Sequence, residues 1–353
     1  MQIITLDFES FYSTEYSLSK MTTEAYVRDK RFQTILCGFK VNDGPSFFIE
    51  GPRVREYLPQ LKLEESAVIM HHAHFDALIL SHHYGIRPKA IIDTLGMARA
   101  LYGANGRLSL AKLCEREGIG AKGDEVEKVQ GMRYADFSYQ ALHRYGQYCK
   151  NYVDRTYDLA RIYMPQFSRE ELEINDYVIR MFTEPTLKLD VPLLQKYAAQ
   201  LKLDKATLML RAGANREDLM SNPKFAQLLI ELGIEPPMKT SPAWLKKPAA
   251  EREGDGQVYS FAKTDPGMQA LAEHPDENVQ ALVAARTGVK STLAETRAER
   301  MIAMAANGAA CVYLKYSGAS GSHRLSGGDK LNWQNFTRGG ILRDAVMGEA
   351  GQV

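Results

Sequence analysis

The chain has 353 residues, 45% of them hydrophobic and 25% charged, with 44 Lys and Arg against 43 Asp and Glu. That composition belongs to a globular protein long enough for two domains and excludes a disordered tail, a collagen-like fibre and a small disulfide scaffold. A formal charge of +1 gives no global attraction to nucleic acid or membrane, so any such affinity needs local clustering. Cys37, Cys114, Cys149 and Cys311 lie far apart with no C-x-x-C pair and read as reduced, buried thiols. No apolar run approaches the ~20 residues that span a bilayer, and MQIITLDFES carries acids where a signal peptide carries bases. The expectation is a cytoplasmic protein without a membrane partner.

The first half alternates strands and helices. Residues 2–8 form a short apolar strand; 32–41 and 46–50 are β-rich and separated by Asn42-Asp43-Gly44-Pro45, a hairpin signal. Residues 67–71 read as a buried strand followed by a helix over 75–84, and 91–92 lead into helices over 94–102 and 108–117. From 138 to 164 the helical period is unbroken. This order predicts an α/β domain, a mixed sheet with helices on both faces. After Pro165 the spacing predicts long helices over 168–232. Pro236, Pro237, Pro242 and Pro248 mark 235–257 as a linker or exposed excursion, helix resumes over 265–306, and the Gly- and Ser-rich stretch 308–353 reads as irregular.

Asp7 and Glu9 stand at i and i+2 on the first strand, so both point to one face while Phe8 points to the other. Two adjacent acids at a strand end repel unless solvated or bridged. The apolar neighbours Ile3, Ile4, Leu6 and Phe8 argue against solvation, and a divalent cation site is the sharper alternative. Asp76 in HHAHFDALIL opens a helix directly after a strand, where a first-turn acid is favoured by the helix dipole alone.

LDFES, HHAHFD and YCKNYVDRTYDL, in that order, resemble the three exonuclease motifs of the tyrosine-bearing branch of the DEDD superfamily. More narrowly, the chain resembles the N-terminal part of a bacteriophage-type family A DNA polymerase. The resemblance implies an RNase H-like 3′→5′ proofreading exonuclease domain over 1–164, a mainly helical thumb over 165–306, and a primer/template-binding segment with the start of a palm over 307–353. It also implies two divalent cations, Mg²⁺ or Mn²⁺, held by Asp7, Glu9, Asp76 and one further acid, with Tyr148 orienting the attacking water.

The family pattern is Tyr-x-x-x-Asp, which puts both residues on one helix face. Here the acid's place holds Tyr152. A phenol titrates near roughly 10, is neutral at working pH and is a poor ligand for a hard cation. Asp154 and Asp158 stand about 200° and 240° round the helix and cannot substitute. The expectation is an exonuclease fold that binds a DNA 3′ end but cuts it slowly or not at all.

His71, His72, His74, His82 and His83 suggest zinc, but no cysteine lies near and His71 and His72 face opposite sides of a strand, so core and DNA-facing roles are favoured. Residues 311–343 set Lys315, Arg324, Lys330, Arg338 and Arg343 against Asp329, with Asn332, Trp333, Gln334, Asn335 and Phe336 interleaved. Cations suit phosphates and amides suit groove acceptors, though a solvated basic loop has the same composition. HRLSGGDKLNWQNFTRGG resembles the primer/template grip of family A polymerases, which implicates Arg324, Asn332, Gln334, Asn335 and Arg338 in DNA binding. Arg286 and the run Gly288-Val289-Lys290-Ser291-Thr292 resemble the duplex-contacting base of the thumb. The palm that follows such a segment in the family is absent before Val353, so polymerisation by this chain alone is not expected. The remaining palm and fingers would be partners, and 308–353 would lack what they pack on. A non-catalytic DNA-binding module, half of a split polymerase, and an RNA-trimming nuclease are the competing readings. The basic, amide-rich segment speaks against the last.

Overall fold

The computed structural model describes residues 2–120 and 129–347. It divides into two compact units, one formed by Met1–Leu189 with Met304–Val353 and the other by Asp190–Ala303.

The first unit is built on a five-stranded sheet of order β3-β2-β1-β4-β5, where β1 is Ile3–Ser10, β2 Thr34–Val41, β3 Ser46–Glu50, β4 Ala67–Met70 and β5 Ala90–Asp93. β1 runs antiparallel to β2 and parallel to β4, so the sheet is mixed, as the element order predicts. Between β1 and β2 lies the short α1 (Thr23–Arg28), and α2 (Gly51–Tyr57) follows β3. α3 (His74–Ile79) leaves β4, with a π-helical turn over Leu80–Tyr84. α4 (Thr94–Tyr102), α5 (Leu110–Glu117) and the 25-residue α6 (Tyr139–Tyr163) follow.

Side-chain alternation divides the core. Ile4, Leu6 and Phe8 enter one apolar cluster with Val68, Met70 and Ile91, while Ala67, Ile69 and Ile92 enter a second with residues of α4, α5 and α6. Two glycines let α6 and the sheet meet closely. A Cβ on Gly38, the residue paired with Asp7, would lie 2.7 Å from Cys149 Sγ, and one on Gly146 would lie 2.5 Å from the Phe48 ring.

The first unit extends past 164, where the sequence places its end. α7 (Arg169–Thr183) carries Asp176 and Asn175, whose side chains accept the N–H groups of Ile91 and Asp93 at 2.8 and 2.9 Å. These bonds occupy the exposed edge of β5 and bind the helix to the sheet. The chain then forms β6 (Lys188–Leu189) and passes into the second unit.

That unit is helical, as the spacing predicts. It contains α8 (Val191–Arg211), α9 (Arg216–Met220), α10 (Asn222–Glu231), α12 (Pro266–Ala272), α13 (Glu277–Lys290) and most of α14 (Leu293–Ala305), around Leu219, Phe225, Leu229, Phe261, Leu282 and Val283. The proline-rich excursion has its ends joined by strands β7 (Met238–Thr240) and β8 (Gln257–Tyr259), with the short α11 (Pro242–Lys246) between them. The Trp244 indole donates to Glu253 O at 2.9 Å inside it.

The C-terminal stretch returns to the first unit and finds partners there. Ala310 and Val312 donate to Leu187 O and Met181 O, β9 (Leu314–Lys315) pairs with β10 (Ser326–Gly327), and Asp329 accepts the Thr23 N–H. After α15 (Ile341–Asp344), β11 (Val346–Met347) pairs with β6. The reading that this stretch lacks anything to pack on is corrected for 308–347; residues 348–353 lie outside the described residues. Among the described residues no helix is long and apolar enough to cross a membrane.

Candidate active site

Three elements converge at one end of β1. The strand aims Asp7 and Glu9 toward α6, α3 contributes Asp76 from its first turn, and α6 contributes Tyr148 and Tyr152 one turn apart. Asp7, Glu9, His71, Asp76, Tyr148 and Tyr152 line a cleft of about 190 Å³. The sequence-predicted acids and both tyrosines are therefore brought together. Asp76 Oδ1 accepts the Phe8 N–H at 2.9 Å, which ties α3 to β1 between the two strand acids.

The electrostatics are those of crowded carboxylates. Burial pushes Asp76 up to about 8; the Phe8 N–H opposes this and the charge of Glu9 adds to it. Such a group is protonated when alone and gives up its proton to a cation placed among the acids. The oxygen-rich donor set of Asp7, Glu9 and Asp76 thus fits a hard divalent ion. Among the described residues, the ligand atoms of Asp7, Glu9 and Cys149 lie within 4.8 Å of one another, and Asp76 stands outside that closest group.

Tyr152 stands at the helix position where the resemblance leads one to expect an acid. Its ring centroid is 6.4 Å from those of both Tyr148 and His71. Burial, then the charges of Asp7 and Asp76, raise its phenol well above the ordinary range and keep it neutral. Asp154 is turned away onto the sheet, where Lys40 Nζ and Ser46 Oγ donate to it at 3.1 and 2.9 Å. Asp158 pairs with Arg155.

The histidines form no group with metal-ligand spacing among the described residues. The expected opposition of His71 and His72 is corrected: β4 ends at Met70, His72 takes a left-handed φ of 69° in the turn, and both residues line the cleft. His71 Nδ1 pairs with Thr94 Oγ1 at 2.9 Å and His72 Nε2 with the Tyr313 hydroxyl at 2.7 Å. His74 is buried against the Tyr313 ring, which lowers it to about 3.

The residues implicated in DNA binding fall into two places. Lys290, the last residue of α13, and Ser291 and Thr292 after it are exposed in the second unit, while Arg324, Gln334, Asn335 and Arg338 are exposed on the first. Asn332 is half-buried and caps a short turn, its Oδ1 accepting the Gln334 N–H at 3.0 Å. Arg286 is corrected from a duplex contact to a core residue. It is 1% exposed, donates to Leu219 O at 2.7 Å and Asn222 Oδ1 at 2.5 Å, and lies over the rings of Phe225 and Phe261.

Sequence reasoning missed Tyr145, whose hydroxyl donates to Glu9 Oε2 at 2.5 Å, and Cys149 beside the same acids. The i, i+3 spacing of Tyr145 and Tyr148 was the available signal. It also missed Asp93, a buried carboxylate that accepts the N–H groups of His72, Ala73, Leu95 and Gly96. Nothing local distinguished it from an ordinary helix cap.

Residues 22–161 match the family described as 3′-5′ exonuclease. No curated protein matches the chain. Among solved structures, the polymerase domain of Pol1 from M. smegmatis, in complex with DNA primer-template and dNTP, aligns with a TM-score of 0.58 at 18% identity, covering 98% of this chain and 54% of that one. This chain therefore spans about half the length of that relative, and the likeness is one of fold. Brucella melitensis NrnC bound to pGG aligns over 50% of this chain and 80% of its own at 14% identity and a TM-score of 0.37. Trypanosoma brucei RNase D aligns over 51% and 65% at 14% identity and 0.41. Residues 22–161, which carry Asp76, Tyr148 and Tyr152, are thus similar to the 3′-5′ exonuclease family, while Asp7 and Glu9 precede the matched span.

Proposed function

We propose that this chain is the 3′→5′ proofreading DNA exonuclease domain and thumb of a family A DNA polymerase, in a form whose cleavage is slowed or silenced. The single observation that carries the reading is the cleft itself: Asp7, Glu9, Asp76 and Tyr148 line it together, and Tyr152 lines it where the fourth acid belongs.

Asp7, Glu9 and Asp76 would hold the metal, and when bound, Mg²⁺ or Mn²⁺ supplies charge neutralisation and a water activated for phosphodiester hydrolysis. Tyr148, kept neutral by burial and by the charges of Glu9 and Asp7, presents a hydroxyl that can orient that water. Tyr152 adds bulk and no charge, so one of two cations is lost or weakened. The helical unit serves as the thumb, with Lys290, Ser291 and Thr292 toward the duplex. The stretch from 307 serves primer and template through Arg324, Asn332, Gln334, Asn335 and Arg338. Single-stranded 3′ ends and primer-template DNA are the partners, together with the palm and fingers of the polymerase, in the cytoplasm of a host if the chain is phage-encoded. The likeness in fold to a polymerase domain solved with primer-template supports this reading.

Release of 3′ nucleotides from single-stranded DNA with Mg²⁺ or Mn²⁺ tests it. Tyr152→Asp is expected to raise the rate by roughly 10²-fold or more, the scale of restoring one electrostatic element of a site. No gain in rate removes the impairment argument. A second reading, a non-catalytic DNA-binding module or half of a split polymerase, is favoured by Tyr152 itself. DNA binding without turnover in both proteins would select it.

A further inference from the structure

Glu9 sits beside a break in the strand pairing. The β1–β2 register keeps Glu9 opposite Leu36 and shifts directly after it, between Glu9 and Ser10, so Glu9 is the last residue the regular ladder aims. Glu9 also lines two clefts, the acid cleft and a neighbouring one of about 250 Å³ whose walls include Tyr12, Tyr26, Phe75 and Tyr145. A glutamate side chain has several rotatable bonds, and set between two openings it is aimed by the groups that bond its carboxylate.

We propose that Tyr145 is the positioning residue for Glu9, holding its carboxylate in the metal-binding orientation. This rests on the exonuclease reading of the cleft. The Tyr145 hydroxyl donates to Glu9 Oε2 at 2.5 Å, a charge-assisted bond that fixes one carboxylate oxygen. The phenol is itself immobilised. It is 2% exposed, and its ring lies parallel to Phe137 with centroids 5.8 Å apart and at 6.1 Å from Tyr148. Tyr145 precedes Tyr148 by one turn of α6, so one rigid helix sets both the acid's orientation and the tyrosine that faces it.

Tyr145→Phe removes the hydroxyl and keeps the ring stack. Mn²⁺ binding to the full chain, followed by calorimetry or electron paramagnetic resonance, is expected to weaken roughly tenfold, the lower end of what a supporting partner of a metal ligand costs. In the Tyr152→Asp background kcat falls while KM for single-stranded DNA holds. Because Tyr145 acts through Glu9, the double variant Tyr145→Phe/Glu9→Gln should bind Mn²⁺ no worse than Glu9→Gln alone. A parent that binds Mn²⁺ with unchanged affinity after Tyr145→Phe overturns the positioning role, as does a double variant with fully additive losses. A chain that binds no Mn²⁺ even as Tyr152→Asp overturns instead the metal-site reading beneath it.

Discussion

The first unit buries the carboxylate of Asp76 and the second buries the guanidinium of Arg286; burial disfavours the charge of both, and their neighbours differ. Arg286 meets the carbonyls of Leu219 and Ser221, the Asn222 amide and two phenylalanine rings, yet its Nε finds no acceptor among the described residues and burial lowers it to about 10. Asp76 accepts the Phe8 N–H, and burial above all, with the charge of Glu9 adding to it, holds it far above its ordinary range. A buried cation given carbonyls and ring faces is accommodated by the fold at a desolvation cost. A buried acid crowded by other acids in a cleft is a candidate functional group. Both residues occur in segments that resemble DNA-handling motifs, and only their surroundings separate them.

Arg286→Met sharpens this contrast most. Replacing the guanidinium leaves several acceptors without a donor, and the second unit should lose about 3 kcal/mol. Hydrogen exchange is the measurement, with loss of protection confined to α9, α10 and α13 and Mn²⁺ binding at the first unit unchanged. A variant that keeps its stability and loses affinity for DNA would restore Arg286 to the duplex and break the comparison.

The strand and helix order of the first unit was legible because each element carries its own period, Asp7 and Glu9 because their i, i+2 spacing fixes one face, and Tyr148 through the resemblance of its motif. Tyr152 was legible as a departure for the same reason, since a helix position four residues after Tyr148 has no other way to face. What the sequence concealed depended on contacts far along the chain. The bonds from Asn175 and Asp176 to β5 move the unit's edge from 164 to 189. Tyr145 meets Glu9 136 residues away. The burial of Arg286 is set by residues 64 to 67 positions earlier, and no local pattern encodes it.

The repelled acid of the first unit makes a pH prediction whose sign follows from its direction. Asp76 holds its proton more tightly folded than unfolded, so its stabilising contribution is complete below the unfolded carboxylate range, near roughly 4, and is lost as pH rises through about 8. The thermal midpoint of the metal-free chain should therefore fall across that window, and Asp76→Asn should flatten the fall. Added Mn²⁺ should reverse it, because a bound cation favours the ionised form. A midpoint independent of pH in the metal-free chain would remove the distinction between the two buried charges.

The smallest effects belong to exposed cations, where the two units are compared on equal terms. Lys290 on the second unit and Arg324 and Arg338 on the first are exposed, so each can meet a phosphate at little desolvation cost. A contact of that kind is read in the salt dependence of binding. Changing one such residue to Gln should lower the slope of log affinity against log salt by about 1 and weaken binding alike for every sequence. Gln334→Ala and Asn335→Ala should leave the slope unchanged, because an amide displaces no counterion, and should act only on preference among sequences. Fluorescence anisotropy with a primer-template duplex across a salt series separates these outcomes. A slope that responds to Arg324 and Arg338 but not to Lys290 would confine the duplex to the unit that carries the acids and leave the helical unit with a structural part alone.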